Sequence, residues 1–212
     1  MTGSLGFLLV TMQPPPQMEE EFHDWYDTEH LPERRAISGF LTARRYVCIE
    51  GWPRYLAIYD LAHPGILAEE GYRAISGKRF SAWSKRILPR MQGVYRAEGV
   101  QLSNPPAVFG AGGDCQWLAL LRFRGVAEPQ GQAFASTAAR AYQDDARFAK
   151  TRVFKTTYNG SEEFLVTIEL RRPLTAAELR THELAPFDFR LDLLNIYSRY
   201  WRHGRLHGVL SD

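Results

Sequence analysis

The chain has 212 residues, of which 45% are hydrophobic and 24% are charged, and its formal net charge is +2. This length allows one large domain or two domains of about 100 residues, and the composition is ordinary for a globular protein. The 26 basic residues are scattered and form no long run, so neither nucleic acid nor an anionic membrane is predicted as a partner.

The two cysteines, Cys48 and Cys115, are far apart and neither belongs to a Cys-x-x-Cys pair. This usage is typical of a reducing compartment and argues against a zinc site. Residues 1–11 lack the basic region and small-residue cleavage site of a signal peptide. No apolar run reaches the length of a membrane span. We therefore expect a cytoplasmic protein.

The first half of the chain alternates strand and helix patterns. The predicted strands are 7–12, 40–49, 54–61 and 92–102, and the predicted helices are 17–31 and 66–88. The first helix is expected to end or bend at Pro32, because residues before proline leave the helical region. The order β-α-β-β-α-β is the ferredoxin-like split unit.

The second half repeats this order after a segment at 104–114 that holds three glycines and two prolines. The predicted strands are 117–123, 149–157, 163–170 and 190–201, and the predicted helices are 130–145 and 175–184. Thr175 and Glu178 form a capping-box pattern for the last helix. We predict an α+β protein with a first repeat at 1–103, a linker at 104–114 and a second, degenerate repeat at 115–212.

The two repeats also match locally, since 54–61 parallels 163–170 and 43–47 parallels 151–155. A ferredoxin-like unit leaves one face of its sheet uncovered by its own helices. Each repeat can therefore cover the bare face of the other. This predicts two tandem ferredoxin-like repeats that form a pseudo-dimeric α/β barrel with its helices outside.

Four short motifs lie in the first half, at 24–34 (DWYDTEHLPER), 39–41 (GFL), 44–46 (RRY) and 53–57 (PRYLA). Together they resemble the EthD-like branch of the dimeric α/β-barrel superfamily, and His30-Leu31-Pro32 matches the His-x-Pro element of that family's helix. Members are usually homodimers of one unit. The resemblance therefore implies a tandem-fused chain, either a monomeric pseudo-dimer or a homodimer. It also implies a cavity between sheet and helices for small, often aromatic or polyketide-like molecules.

The first helix carries the densest set of reactive side chains. On a helical wheel Tyr26 lies at the edge of an apolar stripe that contains Trp25, and His30 and His23 come next, with Asp27 just beyond. Tyr26 and His30 are therefore expected where the apolar interior meets water, as at the mouth of a cavity.

These positions suggest roles for each residue. His30 could take a proton from an acidic carbon or a phenol, and Tyr26 could donate to a carbonyl or enolate oxygen. We predict this pair as catalytic. Trp25, Asp27 and His23 are predicted to bind substrate, by stacking or by orienting an imidazole ring. The alternatives are helix capping for His30, core packing for both aromatics and simple solvent exposure for His23.

Three further substrate-binding residues are predicted outside this helix. Arg44 and Tyr46 share one face of a strand, and Arg45 lies on the other. One of the two arginines is expected inside the barrel, paired with a buried acid such as Asp60 or with a ligand anion. Trp83 on the second helix could line the same pocket. Core packing is the alternative for these residues.

The sequence thus predicts a small-molecule enzyme that acts on an aromatic or polyketide-like carbonyl compound by histidine-mediated proton transfer, as a cyclase, dehydratase, isomerase or lyase. No organic cofactor is expected. No metal is expected either, because the stripe His23, Asp27, His30 lacks a second ligand cluster. The alternatives are a non-catalytic small-ligand-binding protein and a haem- or oxygen-dependent monooxygenase. The helix predicted at 130–145 has no histidine or tryptophan, so one site per chain is expected.

Overall fold

The computed structural model describes residues 4–111, 113, 115–142, 145–179 and 184–201. Eight antiparallel strands close into a barrel in the order β1-β3-β2-β8-β5-β7-β6-β4. The strands are β1 Gly6–Gln13, β2 Phe40–Glu50, β3 Tyr55–Leu61, β4 Gln92–Gln101, β5 Trp117–Arg124, β6 Phe148–Tyr158, β7 Ser161–Leu170 and β8 Arg190–Arg199. The predicted barrel is confirmed, and each predicted strand lies within two residues of its observed bounds.

The helices are α1 Glu19–Trp25, α2 Leu31–Arg35, α3 Glu70–Arg73, α4 Ala82–Ile87 and α5 Gly131–Ala141. A π-helix at Tyr26–His30 joins α1 to α2. The prediction was that the helix ends or bends at Pro32. It does not end there, because the helical segment continues to Arg35. Pro32 has no N–H to donate, and it falls in the first turn of α2, directly after the wider π turn. None of the helices in the described ranges is long and apolar enough to span a membrane.

Two other helix predictions were wrong. The stretch 66–88 is broken into a 3₁₀ turn at Pro64–Ala68, α3, a second 3₁₀ turn at Gly77–Arg79, and α4. The break between α3 and the second turn lies at Ser76, which is extended, and at Gly77, which adopts φ +59°. In the described part of the stretch 175–184, the chain forms a 3₁₀ turn at Ala176–Glu178 and is extended at Leu179, and the predicted capping box of Thr175 and Glu178 is present. Residues 180–183 lie outside the described residues.

The strand order and register are the same in the two halves. The order is β4-β1-β3-β2 in the first half and β8-β5-β7-β6 in the second. Equivalent cross-strand pairs are Met12–Tyr55 and Phe123–Phe164, Val47–Tyr55 and Lys155–Phe164, and Thr11–Tyr95 and Arg122–Leu193. The contacts β2–β8 and β4–β6 join the halves and close the barrel.

Three apolar cores follow from the alternation of side chains along the strands. One core, with Phe7, Tyr46, Phe154 and Tyr197, takes residues from both halves and fills the barrel. A second lies between α1–α4 and the outer face of the first-half strands. The third lies between α5 and the second-half strands. The inner face of β2 thus points into the barrel, and its outer face points at α1.

The barrel interior also contains buried charges. Arg152 donates to Glu169 at 2.9 Å and lies 3.8 Å from Asp60. The predicted linker reaches this cluster, because the backbone N–H of Phe109 donates to Asp60 at 2.7 Å and that of Gly110 donates to Glu169 at 3.2 Å. Asp60 was expected as the partner of Arg44 or Arg45. It is a buried acid, but its arginine contact is Arg152, and Arg45 pairs with Asp27 instead.

Candidate functional site

Arg45 is the buried centre of the candidate site. Its side chain leaves the outer face of β2 and is only 5% exposed. Its Nη1 donates to Asp27 Oδ1 at 2.5 Å, and its Nη2 lies 3.0 Å from His23 Nδ1. The guanidinium carbon lies 4.2 Å from the ring centre of Tyr26 and 4.0 Å from that of Tyr200. One cation thus holds α1, β2 and the end of β8 together by ion-pair and cation–π contacts.

The contact with Arg45 sets the tautomer of His23. A guanidinium can only donate hydrogen bonds, so Nδ1 of His23 accepts and the ring proton lies on Nε2. Nε2 lies 3.1 Å from the hydroxyl oxygen of Tyr55 and therefore donates to it. The hydroxyl of Tyr55 in turn donates to Glu19. The result is a directed chain from Arg45 through His23 and Tyr55 to the Glu19 carboxylate.

This environment keeps His23 neutral. Burial and the nearby Arg45 cation lower the pKa of His23 to about 4. Burial and the hydrogen bond to Glu19 raise the pKa of Tyr55. The Tyr55 hydroxyl therefore keeps its proton at neutral pH. The imidazole of His23 also stacks on Tyr200, with ring centres 4.7 Å apart and planes inclined by 16°.

The hydrogen-bond chain lies at the floor of an open groove with a volume of about 710 Å³, whose lining includes Glu19, His23, Tyr55, Tyr200 and Trp201. A neighbouring cavity of about 260 Å³ shares Tyr200 and Trp201 with this groove. A cavity of about 670 Å³ at the β6–β7 hairpin contains none of the predicted site residues. Of these three cavities, the first groove is the one lined by the hydrogen-bond chain of His23, Tyr55 and Glu19.

The structure places Tyr26 and His30 differently from the prediction. Tyr26 is 2% exposed and His30 is 9% exposed, and neither lines the three cavities above. The expected position at a cavity mouth was wrong. In the π-helix the Leu31 N–H donates to Tyr26 O, so each residue turns by less than the roughly 100° of a wheel. The smaller rotation per residue turns the side chains of Tyr26 and His30 towards the interior.

His30 is nevertheless an unusual buried group. Its ring lies 4.3 Å from the Trp25 ring and 5.1 Å from the Tyr26 ring, measured between centres. Burial and the cations of Arg34 and Arg45 lower its pKa well below the usual value, so it is neutral. Its Nδ1 has no hydrogen-bond partner among the described residues. An unpaired buried nitrogen costs about 1–3 kcal/mol, and π-helices often occur at functional sites.

The other predicted residues divide into three groups. Asp27 joins His23 at Arg45 and also accepts from the Tyr200 hydroxyl at 3.2 Å. Arg44 lines the smaller cavity and donates to Phe109 O at 3.2 Å. Trp25, Tyr46 and Trp83 do not line either first-half cavity.

These three aromatic residues have structural partners instead. Trp25 is fully buried and donates to Ser84 Oγ at 3.0 Å. Tyr46 lies inside the barrel, where burial raises its pKa to about 12. Trp83 donates to Glu21 at 3.1 Å.

Sequence reasoning missed four residues of this site. Arg45 was placed only on the strand face opposite Arg44 and Tyr46, and which of the two arginines lies inside the barrel was left open. Glu19 lies one turn before His23, which was a usable signal. Tyr55 was part of a motif but was given no role. Tyr200 lies 173 positions from Asp27, and no local pattern could have connected them.

The described residues do not fit a histidine-ligated haem or a metal cluster. No group of three metal-binding side chains lies together among them. A histidine that ligates haem iron must present a free nitrogen to a cavity. His23 uses both nitrogens, His30 lines none of the cavities above, and His63 is exposed beside Glu69. The remaining three histidines lie outside the described residues.

Comparison with known proteins identifies the fold. No family model matches the sequence, and no curated protein matches it either. An anthrone oxidase-like protein has a similar structure, with a TM-score of 0.63 and 8% identity over 93% of this chain and 92% of that one. The chain has the dimeric α/β-barrel fold. Two further examples of similar structures support this assignment.

One is chlorite dismutase from Candidatus Nitrospira defluvii, with a TM-score of 0.56 and 12% identity over 93% of this chain and 92% of that one. The other is a haem-binding protein from Thermus thermophilus, with a TM-score of 0.52 and 9% identity over 92% of this chain and 91% of that one. Such low identities establish the barrel and leave activity to be argued from the site.

The lowered pKa values of His23 and His30 predict a loss of stability in mild acid. An unfolded imidazole has a pKa of about 6.5, so between that value and about 4 the unfolded chain binds more protons than the folded one. Stability is therefore complete above the unfolded pKa and decreases as pH falls towards 4. We expect the free energy of unfolding by urea to fall from pH 7 to pH 4.5, with the larger share from the more deeply buried His30, because solvent screens His23. NMR titration midpoints near 6.5 for both rings would contradict this.

Proposed function

We propose that the protein is a small-molecule enzyme that moves a proton on an aromatic or polyketide-like carbonyl compound bound in the groove beside α1. The observation that supports this best is the directed hydrogen-bond chain at the groove floor. It presents a carboxylate acceptor at Glu19 and a phenol donor at Tyr55, and the imidazole of His23 fixes the phenol. Tyr200 and Trp201 supply flat walls for an aromatic substrate.

The proposed step is enolisation. Glu19 accepts a proton from the carbon next to the substrate carbonyl, and the electron pair of that C–H bond moves to the carbonyl oxygen. Tyr55 turns its O–H towards this oxygen, and the Nε2–H of His23 still holds the Tyr55 oxygen in place. Return of the proton to another carbon gives isomerisation, and attack by the enolate carbon on a second carbonyl gives cyclisation. His23 is a positioning residue in this scheme, held by Arg45.

His30 and Tyr26 form the second candidate pair for the same reaction. Neutral His30 favours it, because its Nδ1 has no hydrogen-bond partner among the described residues and can accept a proton when the ring carries its hydrogen on Nε2, whereas both nitrogens of His23 are engaged. In this version His30 takes the proton and Tyr26 donates to the enolate oxygen, in the sheet–helix space that the family resemblance implies. The two versions differ in the base, which is Glu19 in the first and His30 in the second, on opposite sides of Arg45.

We further propose that the chain is a tandem fusion of two ferredoxin-like repeats, 1–103 and 115–212, and that it belongs to the EthD-like branch. The identical strand order and register of the two halves support the fusion. A single chain closes the barrel, which supports a monomeric pseudo-dimer. We place the protein in the cytoplasm, because no disulfide joins Cys48 and Cys115.

Exchange of an acidic C–H into D₂O tests the proposed chemistry without knowledge of the final product. We choose anthrone as the probe because it is an aromatic ketone with acidic methylene protons, and because an anthrone oxidase-like protein shares the fold. Under argon, the protein should accelerate deuterium incorporation at the methylene carbon at least about tenfold over buffer, as mass spectrometry would show. Tight binding of anthrone without exchange would favour a non-catalytic ligand-binding protein instead.

A further inference from the structure

Arg54 lies in the groove but has no role in the proposed enolisation. Its side chain is 52% exposed and lines the groove together with Glu19, His23 and Tyr55. Its Nη1 lies 3.1 Å from Glu19 Oε1, which is the oxygen that also accepts the hydrogen bond of the Tyr55 hydroxyl. The guanidinium carbon lies 5.6 Å from the ring centre of Tyr55. The phenol and the guanidinium therefore flank the same carboxylate oxygen.

The backbone of Arg54 is fixed directly before β3 begins. Its N–H donates to the Gln13 side chain at 3.1 Å, and its C=O accepts from the Cys48 N–H at 2.7 Å. Because β3 begins at Tyr55, the alternation of side chains along a strand does not apply to Arg54. The side chains of both neighbours can therefore reach the groove.

The guanidinium of Arg54 keeps its hydrogen-bond donors available. Its side chain has an ion-pair contact with Glu19 and a ring contact with Tyr55, and it donates no hydrogen bond to the described residues. A guanidinium carries five N–H donors in a planar fork. The Oε2 atom of Glu19 likewise accepts no hydrogen bond from the described residues, since the Tyr55 hydroxyl donates to Oε1. A ligand in the groove thus meets a proton acceptor, a phenol and a guanidinium side by side.

We propose that Arg54 binds a second oxygen of the substrate, and that the enzyme therefore selects carbonyl compounds with two oxygens in a 1,3 relation. These compounds are β-dicarbonyls and aryl ketones with a neighbouring phenol oxygen. The inference rests on the proposed function and narrows its substrate class. Tyr55 donates to the carbonyl oxygen, and Arg54 donates to the other one. Two donors in contact with one carboxylate oxygen lie within about 6 Å of each other, so both can reach the two oxygens of such a group.

The second donor acts when the C–H bond of the substrate breaks. Oε2 of Glu19 takes the proton, the electron pair of the C–H bond forms a C=C bond, and the C=O π pair moves to oxygen. In a β-dicarbonyl compound the resulting negative charge is shared by both oxygens. A cation beside this charge stabilises the transition state more than it stabilises the neutral ground state. Arg54 should therefore raise kcat/KM most for compounds that present both oxygens.

Two anthrones with the same exchanging methylene group test this assignment. 1,8-Dihydroxyanthrone carries a phenol oxygen in the 1,3 relation on each side of its carbonyl, and anthrone carries none. For each compound, the kcat/KM for deuterium incorporation in D₂O under argon is divided by the rate in buffer alone. We expect this acceleration to be at least about tenfold larger for the dihydroxy compound, because a hydrogen bond from a charged donor is stronger than one between neutral groups. Equal accelerations would overturn the proposal.

Variants of Arg54 locate the preference. Arg54→Met removes the donors and should reduce the advantage of the dihydroxy compound about tenfold. Arg54→Lys should restore part of the advantage, because it keeps the charge but lacks the planar fork. Arg79→Met is the matched control, since Arg79 is an exposed arginine paired with Glu70 and lines none of the cavities above. Circular dichroism establishes that the variants are folded. An advantage that survives Arg54→Met, or that falls equally in the control, would overturn the role of Arg54.

Binding of the corresponding anthraquinones separates failure of this inference from failure of the proposed function. 1,8-Dihydroxyanthraquinone and anthraquinone lack the methylene group, and quenching of tryptophan fluorescence measures their binding. Tighter binding of the dihydroxy compound that is lost in Arg54→Met, without exchange of either anthrone, would keep the Arg54 contact and remove the proton-transfer function. Equal acceleration of exchange for the two anthrones would leave the proposed function standing and remove the Arg54 contact.

Discussion

Replacing Arg45 by methionine should lower the free energy of unfolding by about 3 kcal/mol. The guanidinium is 5% exposed, pairs with Asp27 and lies between the rings of Tyr26 and Tyr200. Methionine fills part of the space but leaves the Asp27 carboxylate without its ion-pair partner. It also removes the donor to His23 Nδ1. Urea denaturation followed by circular dichroism measures the loss.

The same variant should change the titration of His23. Arg45 is the second cause, after burial, of the lowered pKa of His23. Without that cation the pKa should rise from about 4 towards the ordinary value, which NMR titration of the imidazole would show. Arg86→Met is the matched control, since Arg86 is an exposed arginine paired with Glu21. We expect it to cost less than about 1 kcal/mol and to leave His23 unchanged. Equal effects of both variants would show that Arg45 does not organise the site.

The barrel could be predicted from the sequence because strands are recognised from local, periodic patterns of residues. Each half carries strands that fit the same split unit, and the repeated register, with Met12 opposite Tyr55 and Phe123 opposite Phe164, follows from that pattern. A strand needs only alternation and flanking turns to be recognised. The same rule placed Arg44 and Tyr46 on one face of the strand and Arg45 on the other, without deciding which face points into the barrel.

The prediction of the site was limited by backbone geometry and by distance along the chain. A wheel of constant pitch placed Tyr26 and His30 at an opening, and the π-helix turned them inward. The partner of Asp27 and His23 at the groove, Tyr200, comes from the far end of the chain. Burial then lowered the pKa of both histidines, an effect of tertiary packing that no motif encodes. The residue types in the first helix therefore helped to locate the site, but the sequence did not predict how exposed each side chain is.

The rates at which two variants catalyse deuterium exchange into anthrone should decide whether Glu19 or His30 is the base. Glu19→Gln replaces the carboxylate by an amide of the same shape that cannot accept a proton. If Glu19 is the base, the exchange rate should fall by about 10²-fold or more. Glu21→Gln is the control on the same helix. Glu21 contacts Trp83 and Arg86 and does not line the groove, so its loss should leave the exchange rate within about twofold of the wild type.

The variant His30→Gln tests whether His30 is the base. This variant should retain most of the exchange rate if the groove is the site, because His30 does not line it. Circular dichroism and urea denaturation establish whether the variant is folded, since the imidazole is packed against Trp25. Loss of exchange in folded His30→Gln, with normal rates in Glu19→Gln, would instead assign catalysis to His30 and Tyr26. The unpartnered Nδ1 of His30 would then be the nitrogen that receives the substrate proton.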